Sequence, residues 1–163
     1  MSKTKIPLKY LPKRLTRKDR TKVAADLAKS RRLYKRGKYY TRRQVASYPH
    51  HKSQHIANAE RIYGTRNIRP SRELAAKTGC SIKALQAIVK KGQGAYFSSG
   101  SRPNQTAHSW GYARLASAVT GGKSSVVDFH ILDKGCNHKT SKAYKMALKA
   151  KTIKRRHTRK TNL

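Results

Sequence analysis

Residues 120–124, TGGKS, carry the residue types of a phosphate-binding loop. Such loops follow the pattern G-x-x-x-x-G-K-[ST], in which backbone N–H groups and the lysine surround phosphate oxygens. Gly122, Lys123 and Ser124 fit the end of this pattern, but position 117 is Ser where the first Gly is required. The preceding ARLASAV also has a helical rather than a strand character. The segment is more typical of a helix end followed by a flexible turn.

Cysteine and histidine residues do not predict a metal site. Cys136 and His138 lie two residues apart, and Cys80 and His130 are candidate companions. No paired C-x-x-C or H-x-x-x-H block gives the zinc spacing from both sides. Two cysteines also do not make a disulfide framework, so we expect a reducing compartment and no bound metal or other cofactor.

Catalytic patterns are equally weak in this chain. Asp128 and His130 lie two residues apart in a strand-like segment, and His108 is followed by Ser109. Neither pair forms a Ser–His–Asp order or a nucleophile elbow. We expect Asp128 to pair with an arginine, and we predict that the chain is neither an enzyme nor a binder of a small-molecule substrate.

The segment ELAAKTGCSIKALQAI predicts two short helices that meet at a glycine turn, as in a helix-turn-helix. Ser71 and Ser81 are the expected N-caps, and Gly79 and Gly92 are the expected ends of the two helices. The apolar residues expected to form the shared core of the pair are Leu74, Leu85 and Ile88.

The second helix of this pair carries residue types that contact DNA. If it enters the major groove, its first residues face the bases, and Ser81, Lys83, Ala84 and Gln86 point outward. Gln can contact adenine, and Lys can contact guanine or phosphate. The alternative is an ordinary pair of helices in a structural protein. The candidate nucleic-acid-binding residues are Ser81, Lys83, Gln86, Lys90 and Lys91.

The segment Gly92–Gly122 is an almost uncharged island, with Arg102 and Arg114 as its two charged residues and no lysine. Charge is scarce there because, in our interpretation, the island is buried in its own core or against a neighbouring protein. We expect Trp110 to be its large anchor and each arginine to have a defined partner. Arg102, Trp110 and Arg114 are therefore the candidate partner-docking residues.

Local patterns predict the elements that position these residues. Helices are expected over about residues 17–36, over 52–63, over the pair at 71–91, from Ser109 onward, and over SKAYKMALKAK. Alternating side chains in SSVVDFHIL predict a strand over 125–132. The predicted organisation is a basic extended arm at 1–15, a basic helix and linker at 16–49, a compact centre at 50–136 with the island at 92–122, and a helix and basic tail at 137–163.

The sequence therefore predicts a mainly α fold with a minor β element, a small helical centre and extended basic arms. Forty Lys and Arg stand against six Asp and Glu, for a formal net charge of +34, which indicates a polyanionic partner. No transmembrane segment or signal peptide is apparent. The candidate binding residues of the basic arms are Lys13, Arg14, Arg17, Lys154, Arg155, Arg156 and Arg159.

The island has a specific signature. The stretch KKGQGAYFSSGSRPNQTAHSWGYARLASAVTGG, with ELAAKTGCSIKALQAIVKKG before it and DFHIL after it, resembles a family of uncharacterised basic proteins of nucleocytoplasmic large DNA viruses, algal viruses included. More distant relatives in tailed phages share the skeleton GSRP…SW…AR. The resemblance covers about residues 11–136. It implies a virion-associated protein and brings no catalytic residue with it.

This resemblance and the charge together suggest a minor capsid protein that links subunits beneath the outer shell of a large DNA virus particle. The expected partners are the major and minor capsid proteins, and viral DNA or inner-membrane head groups at the basic arms. The alternative is a helix-turn-helix protein that binds DNA for genome packaging or regulation. A ribosomal protein would share the basic tails, but the island resembles none.

Overall fold

The computed structural model describes residues 3–153 and 157–163, and these residues are mainly α-helical, as predicted. No described helix is long and apolar enough to cross a membrane. Two short strands and a 3₁₀ helix (Leu8–Tyr10) accompany the helices. In chain order the elements are β1 (Lys5–Pro7), α1 (Arg17–Tyr34), α2 (Gln54–Tyr63), α3 (Arg72–Thr78), α4 (Ile82–Ser98), α5 (Ala107–Val119), α6 (Lys123–Val127), α7 (Phe129–Gly135), α8 (Lys142–Lys151) and β2 (Lys160–Asn162).

The chain forms two compact units rather than one centre with arms. The first unit contains the described parts of Met1–His51, Gln93–Ala107 and Arg156–Leu163, and the second contains those of Lys52–Gly92 and His108–Arg155. The boundaries predicted for a single centre at 50–136 therefore differ from those observed. The island is divided between the units, and α8 belongs to the core of the second.

The N-terminal segment of the first unit is folded onto its own chain. β1 pairs with β2 in antiparallel register, with Ile6 opposite Thr161. The prediction of extended arms at both ends is wrong for these residues, because the N-terminal segment has apolar anchors that its charge obscured. The buried anchors are Ile6, Tyr10, Leu11 and Leu15.

Helix α1 begins and ends as its sequence predicts. The Thr16 side chain accepts a hydrogen bond from the backbone N–H of Asp19, which caps the N-terminus. At the other end Gly37 adopts a φ of +72°, and its N–H donates to the Tyr34 carbonyl while the Lys38 N–H donates to the Leu33 carbonyl. This Schellman arrangement satisfies the last carbonyls and turns the chain sharply.

The pair of helices predicted at 71–91 is present, as α3 and the first part of α4. Ser71 caps α3 through the N–H of Leu74, and Gly79 ends it with a φ of +72°. Leu74, Leu85 and Ile88 are fully buried in one apolar cluster, as expected for the shared core of the pair.

Helix α4 continues through Gly92, where its end was predicted, and runs to Ser98. A Cβ atom at Gly92 would lie 2.6 Å from the Cα of Gly111 in α5. The glycine therefore permits the close approach of two helices and does not terminate one.

The strand predicted over 125–132 is wrong, because the segment forms α6 and α7 with a break at Asp128. Ser125, Asp128 and Leu132 are buried, whereas Val127 is 55% exposed. The buried positions are separated by three and four residues, which is the spacing of a helix and not of a strand.

Helix α8 covers the segment predicted as the last helix and is capped by Ser141 through the N–H of Tyr144. Ala143, Tyr144 and Ala147 are buried, whereas Leu148 is exposed.

Cys80 and Cys136 form a disulfide across 56 residues, contrary to the expectation of a reducing compartment without a disulfide framework. The two cysteines also form an isolated antiparallel bridge. The Ser81 N–H donates to the Gly135 carbonyl, and the Asn137 N–H donates to the Gly79 carbonyl. Sequence spacing gave no sign that this backbone pairing brings the cysteines together.

Candidate nucleic-acid interface

The six carboxylates of the chain are engaged within it. Three form exposed or half-exposed ion pairs, which are Glu60 with Lys52, Glu73 with Lys77 and Asp133 with His138. The other three are Asp19, which accepts from the backbone N–H of Ser47, Asp26, which pairs with Arg43, and Asp128, which pairs with Arg114. Six carboxylates cannot neutralise forty cations, so the surface is strongly cationic.

Five residues with cationic side chains line one open pocket of the first unit, which we call the basic pocket. No carboxylate is among the described residues that line it, and its polar and apolar walls also include Thr158, Tyr48, Leu8 and Pro12. The five cationic residues are Lys9, Lys13, Arg14, Arg102 and Arg159.

Separate segments of the chain supply these cations. Lys9 lies in the 3₁₀ helix, and Lys13 and Arg14 lie in the turn before α1. Arg102 lies in the loop between α4 and α5, and Arg159 immediately precedes β2. The pairing of β1 with β2 brings the C-terminal segment to the N-terminal one, and the N–H of Leu8 donates to the carbonyl of Arg159 at 2.8 Å.

Two further contacts fix the other side of the pocket. The Arg14 guanidinium lies over the Tyr48 ring, 4.7 Å from its centroid. Asn104, two residues after Arg102, donates its side-chain amide to the carbonyls of Val45 and Tyr48 at 3.0 and 2.7 Å, and accepts from the N–H of Val45 at 2.8 Å. Asn104 has a φ of +64°, a conformation that asparagine tolerates better than most residues.

This arrangement suits phosphate chemistry. Guanidinium groups present several N–H donors in one plane and bind phosphate oxygens in pairs, and a ring that stacks on the guanidinium face leaves its edge available. Lysine adds a flexible point charge. A pocket with five cations and no carboxylate is therefore equipped to hold one or more phosphate groups.

Four residues that line the pocket were predicted to have different roles. Lys13, Arg14 and Arg159 were predicted to belong to the basic arms, and Arg102 was predicted to dock a partner. Arg102 is exposed, and no ion pair joins it to a carboxylate within residues 3–153 and 157–163. Arg17 is the exposed first residue of α1 and does not line the pocket. Three arm residues lie outside the described residues, namely Lys154, Arg155 and Arg156.

Sequence reasoning missed Lys9 and Tyr48. Neither stands in a recognisable motif, and both reach the pocket only through the tertiary fold of the first unit. The single weak signal is the alternation of cations with apolar residues in PLKYLPKR, which was interpreted as an extended arm.

Arg42 is a further arginine that sequence reasoning missed, but its role is structural. Its guanidinium donates to the Tyr96 carbonyl at 2.6 Å, to the Ser30 hydroxyl at 3.0 Å and to the Ser101 hydroxyl at 2.7 Å. It also lies 3.8 Å from the centroid of the Tyr96 ring. Burial lowers the pKa of Arg42 from its ordinary value. These bonds attach the segment that carries Arg42 to α1 and to the island.

Three of the five residues proposed to read DNA form an exposed row on α4, namely Lys83, Gln86 and Lys90. Ser81 is exposed, but its hydroxyl caps the helix by accepting from the N–H of Ala84. The Nζ of Lys91 lies 3.3 Å from a ring nitrogen of His130.

Ala84, predicted to face outward, is buried. A Cβ atom at Gly135 would clash with the Cβ of Ala84, so the residues before the disulfide cover this side of the helix. The exposed surface at the start of α4 is therefore narrower than expected for a helix that reads DNA, because it lacks Ala84.

The two docking residues of the second unit are not part of the basic pocket. Arg114 pairs with the buried carboxylate of Asp128, so its expected defined partner is present, and the expected arginine partner of Asp128 is Arg114. Trp110 is half-buried and lies outside the apolar cluster of that unit. No group of three or more His, Cys, Asp or Glu able to hold a metal ion occurs in the described part of the chain.

Residues 7–139 match the model of a family described as a family of unknown function, DUF5824. The match covers most of the chain, so the chain belongs to this family. No curated protein and no solved structure matches the chain.

Proposed function

We propose that this member of DUF5824 is a non-enzymatic structural component of a large DNA virus particle that lies beneath the outer shell and binds nucleic acid through the phosphate backbone. The observation that carries the binding part is the basic pocket, in which five cations and no carboxylate line one cavity. The location in a particle is supported by the sequence resemblance of the island to basic proteins of nucleocytoplasmic large DNA viruses.

Contact with phosphate is favoured over contact with acidic capsid proteins by the formal net charge of +34. Arg14 and Arg102 line the basic pocket, and a guanidinium pairs with the oxygens of a phosphate as well as with those of a carboxylate. Repeated phosphates also explain the size of the charge, because a polymer can neutralise cations across the whole surface at once.

The version of this proposal in which both termini reach out to cement neighbouring subunits has less support. Ile6 is fully buried within its own unit, and β1 pairs with β2 of the same chain. Linking of subunits would therefore use the folded surface, with other minor and major capsid proteins as additional partners.

Mass spectrometry of purified particles tests the location. We expect the protein among the particle components at a copy number comparable with those of other minor capsid proteins. Detection in infected-cell nuclei with absence from purified particles would contradict it.

A second function, sequence-specific DNA binding by α3 and α4, is favoured by the exposed row Lys83, Gln86 and Lys90. A uniform loss of affinity for all sequences in Lys83→Ala, Gln86→Ala would indicate attraction to the backbone alone. A changed ratio of specific to non-specific affinity at fixed salt would indicate base reading. The matched control is Lys142→Ala, which likewise removes one exposed cation but from α8.

A further inference from the structure

A cluster of three aromatic rings lies in the first unit, formed by the exposed Tyr34 and Tyr39 and the half-buried Phe97. Tyr39 is 73% exposed and Tyr34 is 36% exposed, and both count among the large apolar side chains left at the surface. The rings of Tyr39 and Phe97 have centroids 5.0 Å apart, and those of Tyr34 and Phe97 lie 6.5 Å apart and nearly parallel, at 8°. We call this cluster the aromatic platform.

The local fold explains why these rings lie together at the surface. Tyr34 is the last residue of α1, and the Schellman turn at Gly37 reverses the chain so that Tyr39 returns to Tyr34, with ring centroids 6.2 Å apart. Phe97 lies in the last turn of α4 and is also in edge contact with the buried Tyr96. One ring is thus anchored to the core while Tyr39 remains largely in solvent.

The two segments that carry the platform contain cations and no carboxylate, and the nearby Asp26 is buried and paired with Arg43. Between residues 31 and 38 the chain has no carboxylate, and the same holds for residues 93–107. A positively charged rim adds little to the binding of an ordinary protein surface, but it strongly attracts a polyanion. The cations of the first segment are Arg31, Arg32, Lys35, Arg36 and Lys38.

We propose that the aromatic platform binds unpaired bases, so that the first unit holds single-stranded nucleic acid by stacking as well as by phosphate contacts. Bases stack on exposed aromatic side chains irrespective of sequence, because every base has a π face, and a positive rim follows the backbone. Paired bases in an intact duplex do not offer their faces, so this site distinguishes strands from duplexes. The inference deepens the proposed function and rests on it.

The experiment compares a strand of about 15 thymidines with an abasic strand of the same length, since site sizes for this mode of binding reach about 16 nucleotides. The two strands carry equal phosphate charge and differ only in the bases. Fluorescence anisotropy at fixed salt should give the wild-type protein about a tenfold preference for the thymidine strand, in the range that stacking of one base supplies.

The variant Tyr39→Leu should lose most of this preference while its affinity for the abasic strand stays the same. The matched control Tyr39→Phe retains a ring and should retain the preference. Because Tyr39 is exposed, neither change threatens folding, and thermal melts of both variants should coincide with the wild type.

The possible outcomes separate the two proposals. Equal and tight binding of both strands by the wild type would overturn the stacking platform and leave phosphate binding intact. A preference that persists in Tyr39→Leu and in Tyr34→Leu would also overturn it, because the bases would then be bound elsewhere. Failure to bind either strand at low salt would overturn the proposed function together with the platform.

Discussion

The guanidinium of Arg114 donates two hydrogen bonds to the carboxylate of Asp128, from Nε at 2.7 Å and from Nη2 at 2.8 Å. Asp128 is fully buried, and the Arg114 side chain is 22% exposed. The Nζ of Lys91 lies 3.9 Å from the same carboxylate. This pair joins α5 to the break between α6 and α7, and it explains why an arginine stands in an otherwise neutral helix.

Replacing the carboxylate in Asp128→Asn should lower the free energy of unfolding by about 2–3 kcal/mol, because a partly buried guanidinium then lacks its counter-charge. Denaturant unfolding measures the change. The control is Glu73→Gln, which removes an exposed pair four residues apart on α3 and should cost at most about 0.5 kcal/mol. Equal small losses in the two variants would show that the buried pair does not stabilise the fold.

The lowered pKa of Asp26 leads us to expect a lower free energy of unfolding in acid. Burial acts to raise the pKa of Asp26, but hydrogen bonds from Arg43 and Tyr40 outweigh it and hold the pKa below the ordinary 3.8. Hydrogen bonds from Ser47 likewise lower the pKa of Asp19. A carboxyl with a lowered folded-state pKa binds fewer protons when folded, so its contribution is present above the unfolded pKa and disappears as the pH falls through the folded one.

The free energy of unfolding should therefore fall as the pH decreases from about 5 towards 2. The difference between the wild type and Asp26→Asn should be largest at neutral pH and shrink in acid. Denaturant titrations measure this difference. A constant difference across this pH range would mean that the charge of Asp26 does not stabilise the fold.

The disulfide closes a long segment of the second unit. Cys80 and Cys136 are 56 residues apart, and a crosslink of this span restricts the unfolded chain enough to contribute about 4 kcal/mol. Reduction should lower the melting temperature of the wild type. The double variant Cys80→Ser, Cys136→Ser should melt at the reduced temperature and should not respond to reductant. Two reactive thiols in the denatured, unreduced wild type would show that the cysteines are not joined.

The buried N-terminal anchor should matter for the first unit. Ile6 is fully buried, and Ile6→Ala should cost about 2–4 kcal/mol of unfolding free energy through lost burial and a cavity. The neighbouring exposed Lys5→Ala serves as the control and should change stability by less than about 0.5 kcal/mol. Rapid proteolysis of the N-terminus in the wild type would contradict the observed pairing of β1 with β2.

The sequence predicts those parts of the fold that depend on residues close together in the chain. Thr16, Ser71 and Gly79 mark helix ends by their own chemistry, and each does so in the structure. Gly92 shows the limit of this reasoning, because its meaning depends on Gly111, a residue that only the fold brings close. A glycine that ends a helix and one that lets two helices touch look alike in sequence.

The candidate site was less predictable than the fold. Net charge indicates a polyanionic partner but not where it binds. Arg14, Arg102 and Arg159 meet only because β1 pairs with β2 and Asn104 holds the segment that carries Tyr48. Lysines surround the apolar residues Ile6 and Leu11, so the segment that builds the pocket has the composition of an extended arm.

The salt dependence of duplex DNA binding tests the basic pocket most directly. The triple variant Lys13→Gln, Arg14→Gln, Arg102→Gln removes three of its five cations, and the control Arg61→Gln, Arg66→Gln, Arg69→Gln removes three exposed cations of the second unit. The plot of log affinity against log salt loses about 0.9 units of slope for each phosphate contact removed. The account predicts a slope shallower by about 2–3 units in the pocket variant and a smaller change in the control. Equal changes in the two variants would contradict it, because the charge would then act diffusely and the pocket would have no special role.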